Sequence, residues 1–142
     1  MAANTVKGTV VVLGGSRGIG KAMVGYAHER GYRVVYGGTK PLPEAEVQKL
    51  AAQDIYYHPV DVTNRFSVHT FRKFAMNHAP RGVPLSVIQN AGIVGRKGAE
   101  EIDAMYRVNV RGALNTVKEF GPYLRDSKDR LVTLSSIVAS RG

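Results

Sequence analysis

Short apolar runs alternate with amphipathic stretches along the whole sequence, and this alternation is the strongest constraint on the fold. The first run, residues 9–13, reads Thr-Val-Val-Val-Leu, which is typical of a strand buried on both faces. Further strands are predicted over residues 33–36, 55–59, 85–89 and 130–135, and helices over residues 19–30, 43–52, 64–77 and 100–124. Strict alternation predicts a parallel sheet with right-handed crossovers and helices on both faces.

The predicted architecture is therefore a doubly wound α/β sheet of about five strands in the order 3-2-1-4-5. In such a sheet the ligand crevice lies at the carboxyl ends of strands 1 and 4, where the winding direction reverses. No linker, repeat or low-complexity segment interrupts the 142 residues, so residues 1–142 are expected to form one domain.

Composition narrows the class of protein. The net charge is +9, but the 20 Lys and Arg residues are scattered, with no polybasic run and no interleaved aromatics. We therefore expect no nucleic-acid partner, and a basic nucleic-acid binder is the minor alternative, which predicts salt-dependent binding to duplexes. The chain has no cysteine and no run of 18 apolar residues. These features predict a cytoplasmic protein without a disulfide scaffold, a thiolate metal site or a membrane partner.

A glycine-rich turn follows the first strand. Residues 14–20 read Gly-Gly-Ser-Arg-Gly-Ile-Gly, which is neither G-x-G-x-x-G nor a P-loop. Glycines between a buried strand and a helix let backbone N–H groups approach a pyrophosphate at the positive end of the helix dipole. The turn predicts dinucleotide binding, and a purely structural turn is the alternative. The candidate ligands are Gly14, Ser16, Arg17, Gly18, Ile19 and Gly20.

Five ordered motifs resemble those of the short-chain dehydrogenase/reductase family, whose fold is Rossmann-like. The glycine turn matches T-G-x-x-x-G-I-G, with Leu13 in place of Thr. Asp61-Val62 resembles the family's pair at the adenine ring, although an Asp that starts a turn is the alternative. The third match is to N-N-A-G, in which Gln89 replaces the first Asn and the remaining residues are Asn90, Ala91 and Gly92. The resemblance implies that both segments border the cofactor.

The last two motifs concern catalysis. Asn109 matches the family's asparagine on the long helix, which supports a proton-relay water, and a satisfied core asparagine is the alternative. Ser136 resembles the fifth-strand serine that orients the substrate carbonyl, with Ser135 as its competitor. The resemblance thus implies Asn109 and Ser136 as the catalytic residues of this chain. No His-rich spacing indicates a metal site.

Charge at the end of the second strand predicts which dinucleotide is preferred. An acidic residue there would accept from the ribose 2′-OH of NAD, but residues 36–40 read Tyr-Gly-Gly-Thr-Lys. Arg17 and Lys40 are able to pair with a 2′-phosphate, and Thr39 lies beside them. We therefore expect NADP(H) to be preferred over NAD(H). The alternative is that both cations line a solvated rim.

The family's catalytic Tyr-x-x-x-Lys pair follows the serine motif by about a dozen residues, whereas six residues follow Ser136. The resemblance thus implies the N-terminal part of such an enzyme, C-terminally incomplete, without the catalytic and substrate-loop segment. The expected function is NADP(H)-dependent oxidation or reduction of a small-molecule alcohol or carbonyl, represented by the cofactor-binding part. The alternative is a truncated relative that binds dinucleotide or a partner without turnover. The missing segment is expected to leave apolar surface uncovered, which predicts either association, with itself or with a full-length relative, or poor stability.

Overall fold

A computed structural model describes residues 6–92 and 99–134 of the chain. Five parallel strands form one sheet in the order β3-β2-β1-β4-β5, which confirms the predicted doubly wound α/β architecture. Leu13 at the end of β1 pairs in register with Gly37 and Gln89, so the carboxyl ends of the three central strands are level. The strands are β1 (Thr9–Leu13), β2 (Arg33–Gly37), β3 (Ile55–Tyr57), β4 (Leu85–Gln89) and β5 (Arg130–Thr133).

The helices are α1 (Gly18–Glu29), α2 (Glu44–Ala51), α3 (Arg65–His78), α4 (Ala99–Met105) and α5 (Gly112–Phe120). The first three begin and end within one residue of the predicted bounds. α3 begins there because the Asn64 side chain accepts hydrogen bonds from the backbone N–H groups of Phe66 and Ser67, at 2.9 and 3.2 Å. Among the helices in the described ranges, none is long and apolar enough to cross a membrane.

The predicted helix over residues 100–124, which Gly121-Pro122 is expected to bend or end late, does end at that point but is not α-helical throughout. A π-helical turn, Tyr106–Arg111, separates α4 from α5, and the helix ends at Phe120 before the Gly121–Tyr123 3₁₀ turn. Because a π turn takes up extra residues, the predicted apolar positions do not all lie on one buried face. Phe120 is buried, whereas Ile102 is 67% exposed.

Both faces of the sheet are covered, and the strand side chains alternate between two apolar cores. One core centres on Phe71 of α3 and Phe120 of α5, whose rings meet edge to face at 6.3 Å. The other lies under α1 and contains Val12 and Val24. β1 is buried along its whole length, as the unbroken apolar run predicts. Packing on both faces holds the strands in place, so that their carboxyl ends stay level with one another.

Candidate functional site

A pocket of about 610 Å³ opens at the carboxyl ends of the central strands. This volume lies within the range of small-molecule sites. The glycine turn, the end of β2, the loop after β3 and the loop after β4 each contribute to its wall. Of the residues predicted from sequence, the pocket brings together Gly14, Ser16, Arg17, Gly18, Thr39, Lys40, Asp61, Val62, Asn90, Ala91 and Gly92.

Close backbone contacts hold the glycine turn against the neighbouring loops. The N–H groups of Gly14 and Gly15 both donate to the carbonyl of Gly37, at 2.8 and 3.0 Å. The Asn90 side chain donates to the Gly14 carbonyl at 3.0 Å. Gly14 has a φ of +91°, and a Cβ there would lie 2.6 Å from the backbone nitrogen of Ala91. Glycine is therefore required at position 14 by both conformation and space.

The amino end of α1 lies at the end of this turn and lines the pocket through Gly18. α1 begins at Gly18, and the preceding residue, Arg17, makes no side-chain capping hydrogen bond. No acidic residue occupies the first turn. A Cβ on Gly18 would meet no atom within 4 Å, so the space beside it belongs to the pocket. Unsatisfied N–H groups and the helix dipole together make this end an anion site.

The rim near the end of β2 is positively charged. Arg17 and Lys40 line the pocket and are solvent-exposed. The Tyr57 hydroxyl donates to the backbone carbonyl of Lys40, which fixes the chain there. A Cβ on Gly38 would overlap the Ser16 hydroxyl, so the two segments that carry these cations lie side by side. Asp61 is the one carboxylate among the described lining residues.

The loop that carries Asp61 is braced by its own side chains. Thr63 donates to Asp61 Oδ1 from its backbone N–H, at 3.0 Å, and from its hydroxyl, at 2.6 Å. The backbone N–H of Asp61 donates to the hydroxyl of Ser67 on α3, at 2.9 Å. These bonds hold the carboxylate at the mouth of the pocket.

Two predicted site residues lie beside the pocket without lining it. A Cβ on Gly92 would lie 3.2 Å from Asn109 Oδ1, which places the Asn109 amide next to the loop after β4. Gly20 is buried beneath the turn, where a Cβ would overlap the Gly14 carbonyl oxygen. Asn109 thus lies beside the loop after β4, and Gly20 is packed beneath the glycine turn.

Two other predicted residues fall elsewhere. Ile19 is 69% exposed and lines a separate apolar groove of about 480 Å³ with Met23 and Tyr26 of α1. Ser136 and its competitor Ser135 lie outside the described residues. Within the described ranges, no three His, Asp or Glu side chains converge as metal ligands would.

Sequence reasoning missed four residues that line the pocket. Gly38 was not predicted to line the site, although a glycine pair directly after a strand allows the close approach to Ser16 that the structure contains. Thr63 follows an Asp by two residues, the spacing of an Asx turn, and this signal was available. Nothing local to Val60 or Val108 distinguishes them from core valines, since their place depends on how the loops and the long helix meet. The missed lining residues are Gly38, Val60, Thr63 and Val108.

Known proteins share this architecture and sequence pattern. The profile of a family described as short chain dehydrogenase matches residues 8–142. An uncharacterized oxidoreductase of Staphylococcus aureus is 33% identical over 134 residues, covering 89% of this chain and 57% of that protein. Human retinol dehydrogenase 5 is 22% identical over 135 residues, covering 91% of this chain and 42% of that protein.

A solved structure of a dehydrogenase also superposes on this chain. The alcohol dehydrogenase of the archaeon Thermococcus sibiricus, complexed with 5-hydroxy-NADP, superposes with a TM-score of 0.79 and 28% identity. The match covers 94% of this chain and 60% of that chain. The chain thus spans about half the length of the relatives that it matches.

Proposed function

The chain belongs to the short chain dehydrogenase family, and we propose that its pocket binds NADP(H) in preference to NAD(H) as the cofactor site of an oxidoreductase that acts on a carbonyl or alcohol. One observation carries the proposal. The uncapped amino end of α1 and the cations Arg17 and Lys40 face one pocket at the level carboxyl ends of β1, β2 and β4.

The preference for a 2′-phosphate follows from the charges at the end of β2. Enzymes of this architecture that prefer NAD hold the ribose 2′-OH with a carboxylate at this position. Here the chain leaves β2 as Gly37 and Gly38 and reaches Thr39 and Lys40 without an acidic residue. Arg17 adds a guanidinium from the adjacent glycine turn, and guanidinium groups bind phosphate through paired hydrogen bonds. A 2′-phosphate at this corner therefore gains two cationic partners, and no acidic residue occupies positions 37–40 at the end of β2 to repel it.

Each remaining part of the pocket is assigned to one part of the dinucleotide. The α1 amides and the glycine turn hold the pyrophosphate, while Asp61 and Val62 border the adenine. The loop Asn90–Gly92 passes beside the nicotinamide half, next to Asn109. When bound, the dinucleotide supplies or accepts the hydride. Asn109 is proposed to hold a proton-relay water, and Ser136 to donate a hydrogen bond to the reacting oxygen.

Removing the two cations tests the cofactor preference. In the double variant R17A/K40A, we expect the Kd for NADPH to rise by about 10-fold or more, because exposed charge-assisted hydrogen bonds each contribute on the order of 1 kcal/mol. The Kd for NADH is expected to change by less than about 3-fold, since NADH has no 2′-phosphate. Isothermal titration calorimetry at constant ionic strength measures both constants. K49A is the control, because Lys49 is an exposed residue of α2 that does not line the pocket.

Three outcomes would contradict this proposal. If R17A/K40A loses affinity for NADPH and for NADH by the same factor, the two cations do not bind the 2′-phosphate. Tighter binding of NADH than NADPH by the unaltered chain would reverse the cofactor preference. No binding of either nucleotide at about 1 mM, a concentration above most cofactor dissociation constants, would overturn the dinucleotide site itself.

We also propose that the chain associates with itself or with a longer relative through the outer face of α4 and α5. Apolar side chains recur there at a spacing of three or four residues and are 43–67% exposed. An apolar stripe of this length is uncommon on a monomer and typical of a helix–helix interface. The stripe consists of Ile102, Tyr106, Val110, Leu114 and Val117.

Placing a charge on the stripe tests the association. L114D is expected to raise the dissociation constant for self-association by about 10-fold or more, because it buries an unpaired carboxylate at the centre of the interface. Y26D is the matched control, since Tyr26 is an exposed apolar residue of α1, outside the stripe. Sedimentation velocity over a concentration series measures this dissociation constant. An unaltered chain that stays monomeric at about 100 μM would contradict self-association.

A further inference from the structure

Helix α5 meets the wall of the pocket from behind at a polar contact that the cofactor assignment does not use. Asn115 Nδ2 donates to the backbone carbonyl of Val62 at 2.8 Å, across a sequence separation of 53 residues. Val62 lines the pocket, and Asn115 does not. Asn115 is half-buried, and the hydrogen bond lies partly away from water. Any effect of Asn115 on a ligand therefore passes through the loop that contains Val62.

Packing around this contact leaves the loop little freedom. The Val62 side chain is 5% exposed and lies against Gly112, one turn before Asn115 on α5. A Cβ on Gly112 would lie 2.7 Å from Val62 Cγ2. The absence of a side chain at position 112 thus lets the loop approach the helix closely enough for the Asn115 amide to reach the carbonyl. Gly112 sets the distance, and Asn115 supplies the directional bond.

The Asn115 bond ties the loop to a different element from those its other bonds reach. Asp61 is tied to Ser67 of α3, and Val60 N–H donates to the carbonyl of Gly38 at 2.8 Å. The Asn115 bond adds an anchor to α5, at Val62 itself. A free Val62 carbonyl in this partly buried place would also have to find another donor.

We propose that Asn115 is a positioning residue for the adenine half of the dinucleotide, acting by holding the Asp61–Val62 wall through the Val62 carbonyl. The inference rests on the proposed cofactor function. It predicts that the loss of the amide donor lowers the affinity for every ligand that carries the adenine half. One such ligand is 2′,5′-ADP, which lacks the nicotinamide half altogether. Asn115 touches no ligand, so it sets the geometry of the groups that do.

Two substitutions separate the hydrogen bond from side-chain volume. N115L and N115D both keep a side chain of similar size and remove the N–H donor, and the aspartate also places a carboxylate against the Val62 carbonyl. We expect N115L to raise the Kd for 2′,5′-ADP by about 5-fold, and N115D to raise it by at least as much. The loss of a hydrogen bond that leaves its acceptor unpaired costs on the order of 1 kcal/mol. N77L is the matched control, since Asn77 is exposed in the last turn of α3.

Calorimetric titration with 2′,5′-ADP provides the readout, and urea unfolding of each variant accompanies it. A residue with a merely structural role lowers the binding stoichiometry through loss of folded protein and leaves the Kd of the folded fraction unchanged. A positioning residue raises that Kd, and NADPH must lose affinity by a similar factor. If N115D binds as tightly as the unaltered chain while N115L does not, the amide donor is not required and the proposal is overturned.

Failure of this inference is distinguishable from failure of the cofactor proposal. If the unaltered chain binds neither 2′,5′-ADP nor NADPH, the proposed function is overturned. If it binds both, and N115L and N115D keep affinities within about 1.5-fold of it, as N77L is expected to, the cofactor site stands and the role of Asn115 is refuted.

Discussion

Replacing Gly20 by alanine is expected to lower the free energy of unfolding by about 3 kcal/mol or more and to abolish dinucleotide binding. A Cβ at this position would overlap the Gly14 carbonyl oxygen and lie 2.6 Å from Asn90 Nδ2. The Gly14 oxygen belongs to the backbone and accepts the hydrogen bond from Asn90. The methyl group therefore enters only if the glycine turn separates from the loop after β4, and that movement dismantles the anion site.

Gly25 on the same helix provides a matched control for this variant. It is exposed in the interior of α1, and a Cβ there would meet no atom within 4 Å. G25A is therefore expected to stabilise the chain by about 0.5–1 kcal/mol, because alanine has the higher helix propensity. Urea unfolding and an NADPH titration measure both variants. A G20A protein as stable as G25A, with unchanged NADPH affinity, would contradict the close packing of the turn.

Most of the fold was predictable because its signals are local. The unbroken apolar run Thr9–Leu13 indicates a strand buried on both faces, and the sheet buries all five residues. Strand order follows from the alternation of elements, since right-handed crossovers leave few topologies. The end of α1 was readable from Gly31, whose φ of +87° only glycine adopts readily.

The long helix was predicted less well because its geometry depends on distant contacts. The π turn at Tyr106–Arg111 shifts the faces, and no residue type marks it in the sequence. The packed side of α5 includes Gly112, Thr116 and Glu119, none of which has a large apolar side chain. Gly112 is packed because Val62 lies against it, and Val62 is 50 positions earlier in the sequence. Such pairings exist only once the chain has folded.

The residues of the candidate site also divide into those that local sequence signals predict and those that depend on distant contacts. Gly14 and Gly18 have positive φ angles, as expected where a turn must bring backbone amides toward an anion. The contribution of Val108 depends on where the long helix crosses the sheet, and the motif named only its neighbour, Asn109. Asn115 carries no motif at all. Its significance depends on a hydrogen bond between α5 and a loop in the first half of the chain.

The cation cluster between α3 and α5 is another feature that the sequence leaves unmarked. Glu119 is 8% exposed, although glutamate is rarely buried without partners. Its Oε2 accepts from Arg65 Nε at 2.7 Å, and its Oε1 lies 3.0 Å from His69 Nδ1 and 3.5 Å from Arg72 Nε. One carboxylate thus compensates basic side chains from three positions of α3. Removing it leaves those basic groups facing one another at a helix interface.

Replacing Glu119 by glutamine is expected to lower the free energy of unfolding at neutral pH by about 2 kcal/mol. Breaking a buried ion pair by removing one partner costs about 3–5 kcal/mol, and the half-exposed Arg65 and His69 reduce that figure through solvent screening. D103N is the matched control, because the Asp103–Arg107 pair is exposed and its loss is expected to cost less than about 0.5 kcal/mol. Urea unfolding at pH 7 compares the two.

The pH dependence of the same variant gives an independent check. Burial alone would raise the pKa of Glu119, but hydrogen bonds from Arg65 and His69 outweigh burial and hold the pKa below its ordinary value of 4.5. A carboxyl group whose pKa is lowered by folding stabilises the folded state above its unfolded pKa, and that contribution is lost as the pH falls through the folded pKa. The stability difference between the unaltered chain and E119Q is therefore expected to be full above pH 4.5 and to shrink below it. A difference that stays constant down to about pH 3 would show that Glu119 is not held ionised by these partners.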